Sequence, residues 1–182
     1  MQKHLEIEFK TFISKDQYEN LLDKFNLTDK IFKQTNYYFD DSNFSLLKDK
    51  IVLRIRKKEQ YKLTKKEKGE SGNNESSLYL TDTQAENMIE QGFDASIIGI
   101  NKQVKTQYHL TTYRAKTPYL GCMLFLDKSE YLDKTDYEIE LEVDNYDEGL
   151  KIFTDFLKEN NIEYNKSNSK AERAFTAYKD KK

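Results

Sequence analysis

The chain of 182 residues has few of the residues that mark several common kinds of protein. Its only cysteine, Cys122, excludes an intramolecular disulfide and a cysteine-based zinc site, and fits a reducing compartment. Its two histidines, His4 and His109, lack the spacing of paired metal ligands. No apolar run approaches the roughly 18 residues of a membrane span, and the start shows no signal-peptide core. We therefore expect a cytoplasmic protein without a membrane partner.

Glycine-loop phosphate motifs and an excess of one charge are also absent. Neither G-x-x-x-x-G-K-[ST] nor G-x-G-x-x-G occurs, so phosphate binding cannot rest on a glycine loop at a helix start. The 30 basic and 32 acidic residues leave a formal charge of −2, which gives no support for a nucleic-acid partner. A hydrophobic content of 37% suffices for a core, and we expect a single domain over residues 1–182. A homodimer is possible, and the sequence does not decide between monomer and dimer.

The chain does contain a repeated alternation of apolar and charged residues. At strand spacing, charged side chains share one face in three runs: Glu6, Glu8 and Lys10; Arg54 and Arg56; and Glu138, Glu140 and Glu142. The opposite face of each run is apolar. Such strands either belong to a sheet whose charged face is exposed to solvent or line a charged cavity.

The remaining pattern indicates an α+β protein. Two capping boxes, Ser14 with Gln17 and Thr81 with Gln84, predict helix starts. Strands are predicted at 31–40, 51–57, 61–67 and over most of 104–143, where only Pro118 interrupts the pattern. Roughly eight strands with short turns favour an antiparallel sheet or closed barrel, with helices in the connections.

The acidic faces could hold divalent metal ions. Carboxylates two residues apart on a strand face lie about 7 Å from each other, so they repel unless a cation lies between them. Carboxylate oxygens suit Mg²⁺ or Mn²⁺, so Glu6 with Glu8 and Glu138 with Glu140 could be halves of one site. The alternative is a solvent-facing strand whose acids pair with neighbouring lysines.

The basic faces could bind phosphate. Arg54 and Arg56 share one face, and Lys62, Thr64 and Lys66 share another beyond the turn, so two adjacent strands could present a row of positive charge. Acids and bases on one concave surface are what a metal–polyphosphate complex requires. In the alternative interpretation the arginines form ordinary cross-strand ion pairs with the acids.

The ordered set of these elements resembles a known family. Glu6-Ile7-Glu8-Phe9-Lys10 is similar to the amino-terminal E-x-E-x-K signature of the CYTH superfamily, also called triphosphate tunnel metalloenzymes. The later elements occur in the family's order, and they are Tyr37–Asp40, Leu53–Arg56, Leu63–Lys66, Arg114, Leu126-Asp127, Tyr137–Glu142 and Ser169–Arg173. The resemblance spans nearly the whole chain and is closest to short uncharacterised CYTH proteins of low-GC Gram-positive bacteria.

The resemblance implies an antiparallel eight-stranded β-barrel whose polar lumen is a tunnel, with helices packed outside. It implies metal ligands at Glu6, Glu8, Asp127, Glu138 and Glu140. It also implies that the triphosphate is bound by Lys10, Arg54, Arg56, Lys66, Arg114, Lys170 and Arg173. Glu142 would orient a water or balance charge, and we count it with Lys10 as a catalytic candidate. The implied cofactor is Mg²⁺ or Mn²⁺.

The family contains several activities, so the function stays a hypothesis. We expect a metal-dependent triphosphatase that hydrolyses inorganic triphosphate or a simple triphosphorylated compound, with a small-molecule triphosphate as its substrate. A class IV-type adenylate cyclase is one alternative, although no base or sugar contacts are identified. A non-catalytic module that binds polyphosphate or nucleotide is another, but a pure anion sensor would not need four carboxylates in its pocket.

Overall fold

A computed structural model describes residues 1–70 and 72–181. The chain divides into two compact units. Unit 1 consists of residues 1–5, 34–110 and 170–182, and unit 2 of residues 6–33 and 111–169. In the described ranges, no helix is both long and apolar enough to cross a membrane.

Nine strands and five α-helices make up the described chain. The strands are β1 (Gln2–Ile13), β2 (Phe32–Asp40), β3 (Ile51–Lys57), β4 (Tyr61–Lys68), β5 (Asn73–Leu80), β6 (Phe93–Asp94), β7 (Gln103–Tyr119), β8 (Cys122–Tyr131) and β9 (Lys134–Val143). The helices are α1 (Lys15–Lys24), α2 (Ser45–Lys48), α3 (Asp82–Gln91), α4 (Tyr146–Glu159) and α5 (Lys170–Asp180). Short 3-10 helices cover Thr28–Lys30 and Ala95–Ile98.

The sheet confirms the predicted barrel. Its strand order is β2-β3-β4-β5-β1-β9-β8-β7-β6, and β2 also pairs with β7. That additional pairing closes eight strands into an antiparallel barrel, with the two-residue β6 as an extra edge. Each pair whose register is defined is antiparallel.

In unit 2 the apolar face of the sheet packs against helices α1 and α4. Ile139 and Leu141 of β9 are fully buried there, among the side chains of Leu22 and Phe156 from the two helices. Because side chains alternate along a strand, the acids of β9 lie on the opposite face. The predicted capping box of Ser14 and Gln17 is present at the start of α1.

In unit 1 the apolar face packs against α3. Leu53, Ile55 and Leu63 are buried with Ala85 of that helix. Arg54 lies opposite Thr64 in the pairing of β3 with β4, so the arginines of β3 occupy the polar face. The second predicted capping box, Thr81 with Gln84, begins α3.

Two local expectations differ from the structure. Pro118 does not interrupt β7, since it pairs with Met123 and the strand continues to Tyr119. The break falls at Leu120 and Gly121, whose φ angles of 48° and 79° form a tight hairpin turn. Strand β5 was not predicted because Asn73–Ser77 is polar throughout and carries no apolar alternation.

At Gly149, helix α4 packs very closely against strand β9. A Cβ at this position would stand 2.5 and 2.7 Å from the two Cγ atoms of Val143. A glycine-to-alanine change within a helix normally stabilises by up to about 1 kcal/mol. Here we expect Gly149→Ala to lower the free energy of unfolding by about 1–3 kcal/mol, because the stiff, buried Val143 cannot move aside. Denaturant unfolding measures the change.

The control for this prediction is the same glycine substitution in a Val143→Ala background. Removing the two Cγ atoms removes the two shortest contacts and leaves the one with Cβ of residue 143 at 2.8 Å, so the loss caused by Gly149→Ala should be smaller there than in the wild type. An increase in stability from Gly149→Ala alone would contradict the close packing.

Candidate functional site

Three buried carboxylates converge on the polar face of unit 2. Asp127 and Glu138 are fully buried and Glu140 is 7% exposed. One oxygen from each lies within 4.8 Å of the others, which makes them the only group of three such ligands found in the described chain. Register explains the convergence, because Asp127 of β8 lies directly opposite Glu138 of β9. Adjacent strands thus bring together acids that are 11 residues apart in sequence.

Arg114 lies among these acids. Its Nε donates to one oxygen of Asp127 at 2.7 Å, and its Nη2 donates to the other at 2.6 Å. The same Nη2 also donates to Glu140. Burial alone lowers the pKa of Arg114, but the charges of Asp127 and Glu140 outweigh it, so the pKa lies well above its usual value. The guanidinium is therefore a permanent positive charge within the acidic group.

Two neighbours of the acids were missed by the sequence analysis. Ser167 is buried and its Oγ donates to Glu138 at 2.6 Å. Phe125 places its ring beneath the guanidinium of Arg114, with Cζ 4.2 Å from the ring centroid. The parity of β8 could have indicated Phe125, because it lies two residues before Asp127. Ser167 lies outside the strands, so no alternation of side chains indicated it.

The remaining predicted residues of unit 2 lie further along the same face. Lys10 Nζ is 2.7 Å from Glu8 Oε1, and Lys10 is opposite Glu140 in the pairing of β1 with β9. Glu8 is opposite Glu142 in the same pairing. Neither Glu6 nor Glu8 belongs to the group of three converging carboxylates. Their roles as metal ligands, and those of Glu142 and Lys10 in catalysis, stay predictions.

Unit 1 carries the predicted row of cations. Arg54 and Lys66 share the polar face of β3 and β4, and each has a nitrogen close to Glu75 Oε1 of β5, at 3.7 and 3.9 Å. Arg56 donates from Nε to Asn36 Oδ1 at 3.0 Å. The neighbouring Lys65 has the opposite parity on β4 and pairs with Glu67.

Helix α5 supplies the last two predicted substrate-binding residues in unit 1. Arg173 is 8% exposed and Lys170 is half-buried at the first position of the helix. Phe175 of the same helix contacts the rings of Phe44 and Tyr108, which fixes the helix against this part of the unit. An arginine buried to this degree on a surface helix is a candidate for anion binding, and its function stays a prediction.

The acidic group fits a divalent metal ion. Three carboxylates offer the hard oxygen ligands that Mg²⁺ and Mn²⁺ prefer. Ligands about 2.1 Å from such an ion lie at most about 4.2 Å apart, so the 4.8 Å group needs only small side-chain movements. A metal ion would compete with Arg114 for Asp127 and Glu140, because either cation can offset the negative charge of these carboxylates.

The fold and the sorting of charge define an antiparallel barrel protein with acidic and basic side chains on the polar face of its sheet. The model of the CYTH domain matches residues 4–175, and the chain belongs to the CYTH domain family. This confirms the family resemblance found in the sequence.

Relatives of known name agree with the family. The chain is 32% identical to "Putative triphosphatase YjbK" of Bacillus subtilis, over 96% of each chain. Among solved structures it is similar to a "putative adenylate cyclase" of Bacillus halodurans, at 31% identity and a TM-score of 0.89, covering 96% of this chain and 100% of that one. A Hippeastrum "putative adenylyl cyclase", described as having a dominant triphosphatase activity, is 23% identical with a TM-score of 0.75 over 95% and 96% of the chains. That last similarity shows the fold alone.

Arg114 should be required for the stability of the metal-free protein. Replacement by glutamine leaves Asp127 buried without its bidentate partner, and removing one member of a buried pair typically costs about 3–5 kcal/mol. Thermal unfolding in EDTA should show this loss. Millimolar Mn²⁺ should then raise the melting temperature of Arg114→Gln more than that of the wild type, because the ion replaces the lost positive charge.

Lys128→Gln is the matched control for charge. Its pair with Glu130, at 2.6 Å, is partly exposed, with 34% and 40% of the two side chains accessible, so its removal should change stability by less than about 1 kcal/mol and leave the response to Mn²⁺ unchanged. Equal stabilisation of Arg114→Gln and wild type by Mn²⁺ would show that Arg114 and the ion do not share these carboxylates.

Proposed function

We propose that this protein is a divalent-metal-dependent triphosphatase that hydrolyses inorganic triphosphate or a simple triphosphorylated compound. The observation that carries the proposal is the buried group of Asp127, Glu138 and Glu140. Burying three carboxylates together is unfavourable unless cations offset their charge. Arg114 offsets only part of it. The name of the 32% identical Bacillus subtilis relative supports the same activity.

The carboxylates are the proposed metal ligands. Asp127, Glu138 and Glu140 would hold the first ion, and Glu6 and Glu8 are the candidates for a second. When bound, Mg²⁺ or Mn²⁺ supplies charge to offset the phosphoryl oxygens and lowers the pKa of a bound water. Ser167 would orient the carboxylate of Glu138 through its 2.6 Å hydrogen bond.

The cations are the proposed binding groups for the triphosphate chain. Arg54, Arg56 and Lys66 of unit 1 carry fixed positive charge, and arginine recognises two phosphoryl oxygens at once. Lys10, Arg114, Lys170 and Arg173 complete the proposed set. Glu142 is the proposed acceptor for the proton of the attacking water, because a carboxylate can orient that water and take its proton. Lys10 would stabilise negative charge that develops on the transferred phosphoryl group.

Three further expectations belong to the proposal. We expect residues 1–182 to act as one domain and the protein to lie in the cytoplasm. We also keep the homodimer as an alternative to the monomer, to be decided by sedimentation.

Product analysis tests the activity directly. Inorganic triphosphate, thiamine triphosphate and ATP are incubated with the protein in Mg²⁺, Mn²⁺ or EDTA, and both phosphate and pyrophosphate are measured. We expect phosphate release that EDTA abolishes. Pyrophosphate release from ATP alone would instead favour a cyclase, the activity in the name of the 31% identical Bacillus halodurans relative. Ligand binding without turnover would favour a binding module.

Arg54 should contribute to substrate affinity rather than to folding. A hydrogen bond to a charged group is worth about 1.5–3 kcal/mol, so Arg54→Ala should raise the KM for triphosphate about 10- to 100-fold. Lys57→Ala is the control, because Lys57 is exposed on the same strand and belongs to the opposite face. A KM for Arg54→Ala equal to that of the control would remove Arg54 from the substrate site.

A further inference from the structure

Strand β2 buries two polar groups that have no hydrogen-bond partner within the described chain. Asn36 is fully buried and its Nδ2 is unpaired, and Tyr38 is 3% exposed with an unpaired hydroxyl. Buried polar groups are nearly always paired, since an unpaired group loses its hydration without replacement. Two such groups two residues apart on one strand are available to bind a ligand.

The orientation of the Asn36 amide follows from its contact with Arg56. The Nε of Arg56 donates to Asn36 Oδ1 at 3.0 Å, and arginine has no acceptor that could bind the amide nitrogen instead. Rotating the amide by 180° would place two donors against each other. Nδ2 is therefore the free end of Asn36, and only an acceptor can satisfy it.

Asn36 and Tyr38 lie on the same face as the two arginines of β3. In the pairing of β2 with β3, Asn36 is directly opposite Arg56 and Tyr38 is directly opposite Arg54. Asn36 contacts the guanidinium of Arg56 directly, and Tyr38 is the cross-strand neighbour of Arg54. Positions two apart on a strand are separated by about 7 Å, so one ligand reaches both only if it carries acceptors along an extended chain.

We propose that Asn36 and Tyr38 bind the phosphate chain itself, each donating a hydrogen bond to a phosphoryl oxygen that Arg56 or Arg54 also contacts. The proposal rests on the proposed function, which makes a triphosphate the substrate. Phosphoryl oxygens are acceptors only, they extend along a polyphosphate chain, and they are drawn to both arginines. A neutral donor beside each arginine adds direction to the attraction without adding charge.

The first test removes only the hydroxyl of Tyr38. Tyr38→Phe should leave the melting temperature of the free protein equal or higher, because it deletes an unpaired buried group. Its Kd for inorganic triphosphate should rise about tenfold or more in calorimetry with Mg²⁺, the value of one hydrogen bond to a charged group. Inorganic triphosphate is the probe because it has no organic group.

Tyr18→Phe is the matched control. Tyr18 is also buried with an unpaired hydroxyl, but it belongs to α1 and to the apolar core of unit 2. Burial, together with the negative charge of Asp127, raises the pKa of that hydroxyl to about 12. The same chemical change at Tyr18 should leave the Kd for triphosphate unchanged.

A double-mutant cycle tests Asn36. If Asn36 donates to the ligand, Asn36→Leu should weaken triphosphate binding both in the wild type and in an Arg56→Ala background. If Asn36 only orients Arg56, the leucine should have no effect once Arg56 has been removed. The melting temperature without ligand, recorded for every variant, separates a loss of folding from a loss of binding.

The outcomes distinguish this inference from the proposed function. If the wild type does not bind triphosphate, both are overturned. If the wild type binds triphosphate and Arg54→Ala binds it equally well, Arg54 is not part of the substrate site and the inference alone is overturned. If Arg54→Ala weakens binding while Tyr38→Phe matches Tyr18→Phe and the Asn36 cycle shows no direct effect, the inference alone is overturned. It is also overturned if Tyr38→Phe weakens binding of thiamine triphosphate but not of inorganic triphosphate, since the contact would then be to an organic group.

Discussion

The cost of holding three carboxylates in one buried place constrains much of this structure. Each ion taken out of water loses several kcal/mol of hydration, and like charges add repulsion to that loss. Arg114 reduces the cost through its bidentate contact with Asp127 and its contact with Glu140. Ser167 satisfies a further oxygen on Glu138. The apolar face behind these strands must supply the remaining stability.

Strict alternation of side chains lets the same strands form both the apolar core and the buried acidic group. In β9, the fully buried Ile139 and Leu141 alternate with Glu138 and Glu140, so core and acidic group are fixed by one register. A shift of one residue would turn the acids into the core of α1 and α4 and expose the apolar side chains. The site is therefore held with the accuracy of a packed sheet, which explains how the acids stay close despite their repulsion.

The sequence predicted the faces of the strands but not the partners across them. Parity assigned Arg54, Lys66 and Glu138 to the polar side, and the observed pairings agree. The ion pairs of Arg114 depend on the register between β7 and β8, and the contact of Ser167 depends on a segment after α4. Local periodicity does not determine such contacts. Strand β5 was missed because its polar residues gain their strand conformation from pairing with β4 rather than from a pattern of their own.

The position of Arg114 links the two kinds of ligand in the proposed function. Its guanidinium neutralises carboxylates that are the proposed metal ligands, and it is also a candidate for binding phosphate. A cation that takes over Asp127 and Glu140 would free the guanidinium for an anion, and an anion that draws the guanidinium away would expose the carboxylates to a cation. Because coupling free energies are reciprocal, each ligand should raise the affinity for the other by the same factor. The buried ion pair lowers the affinity of the protein for the metal ion alone and for the triphosphate alone. The protein should therefore bind the metal–triphosphate complex in preference to either component.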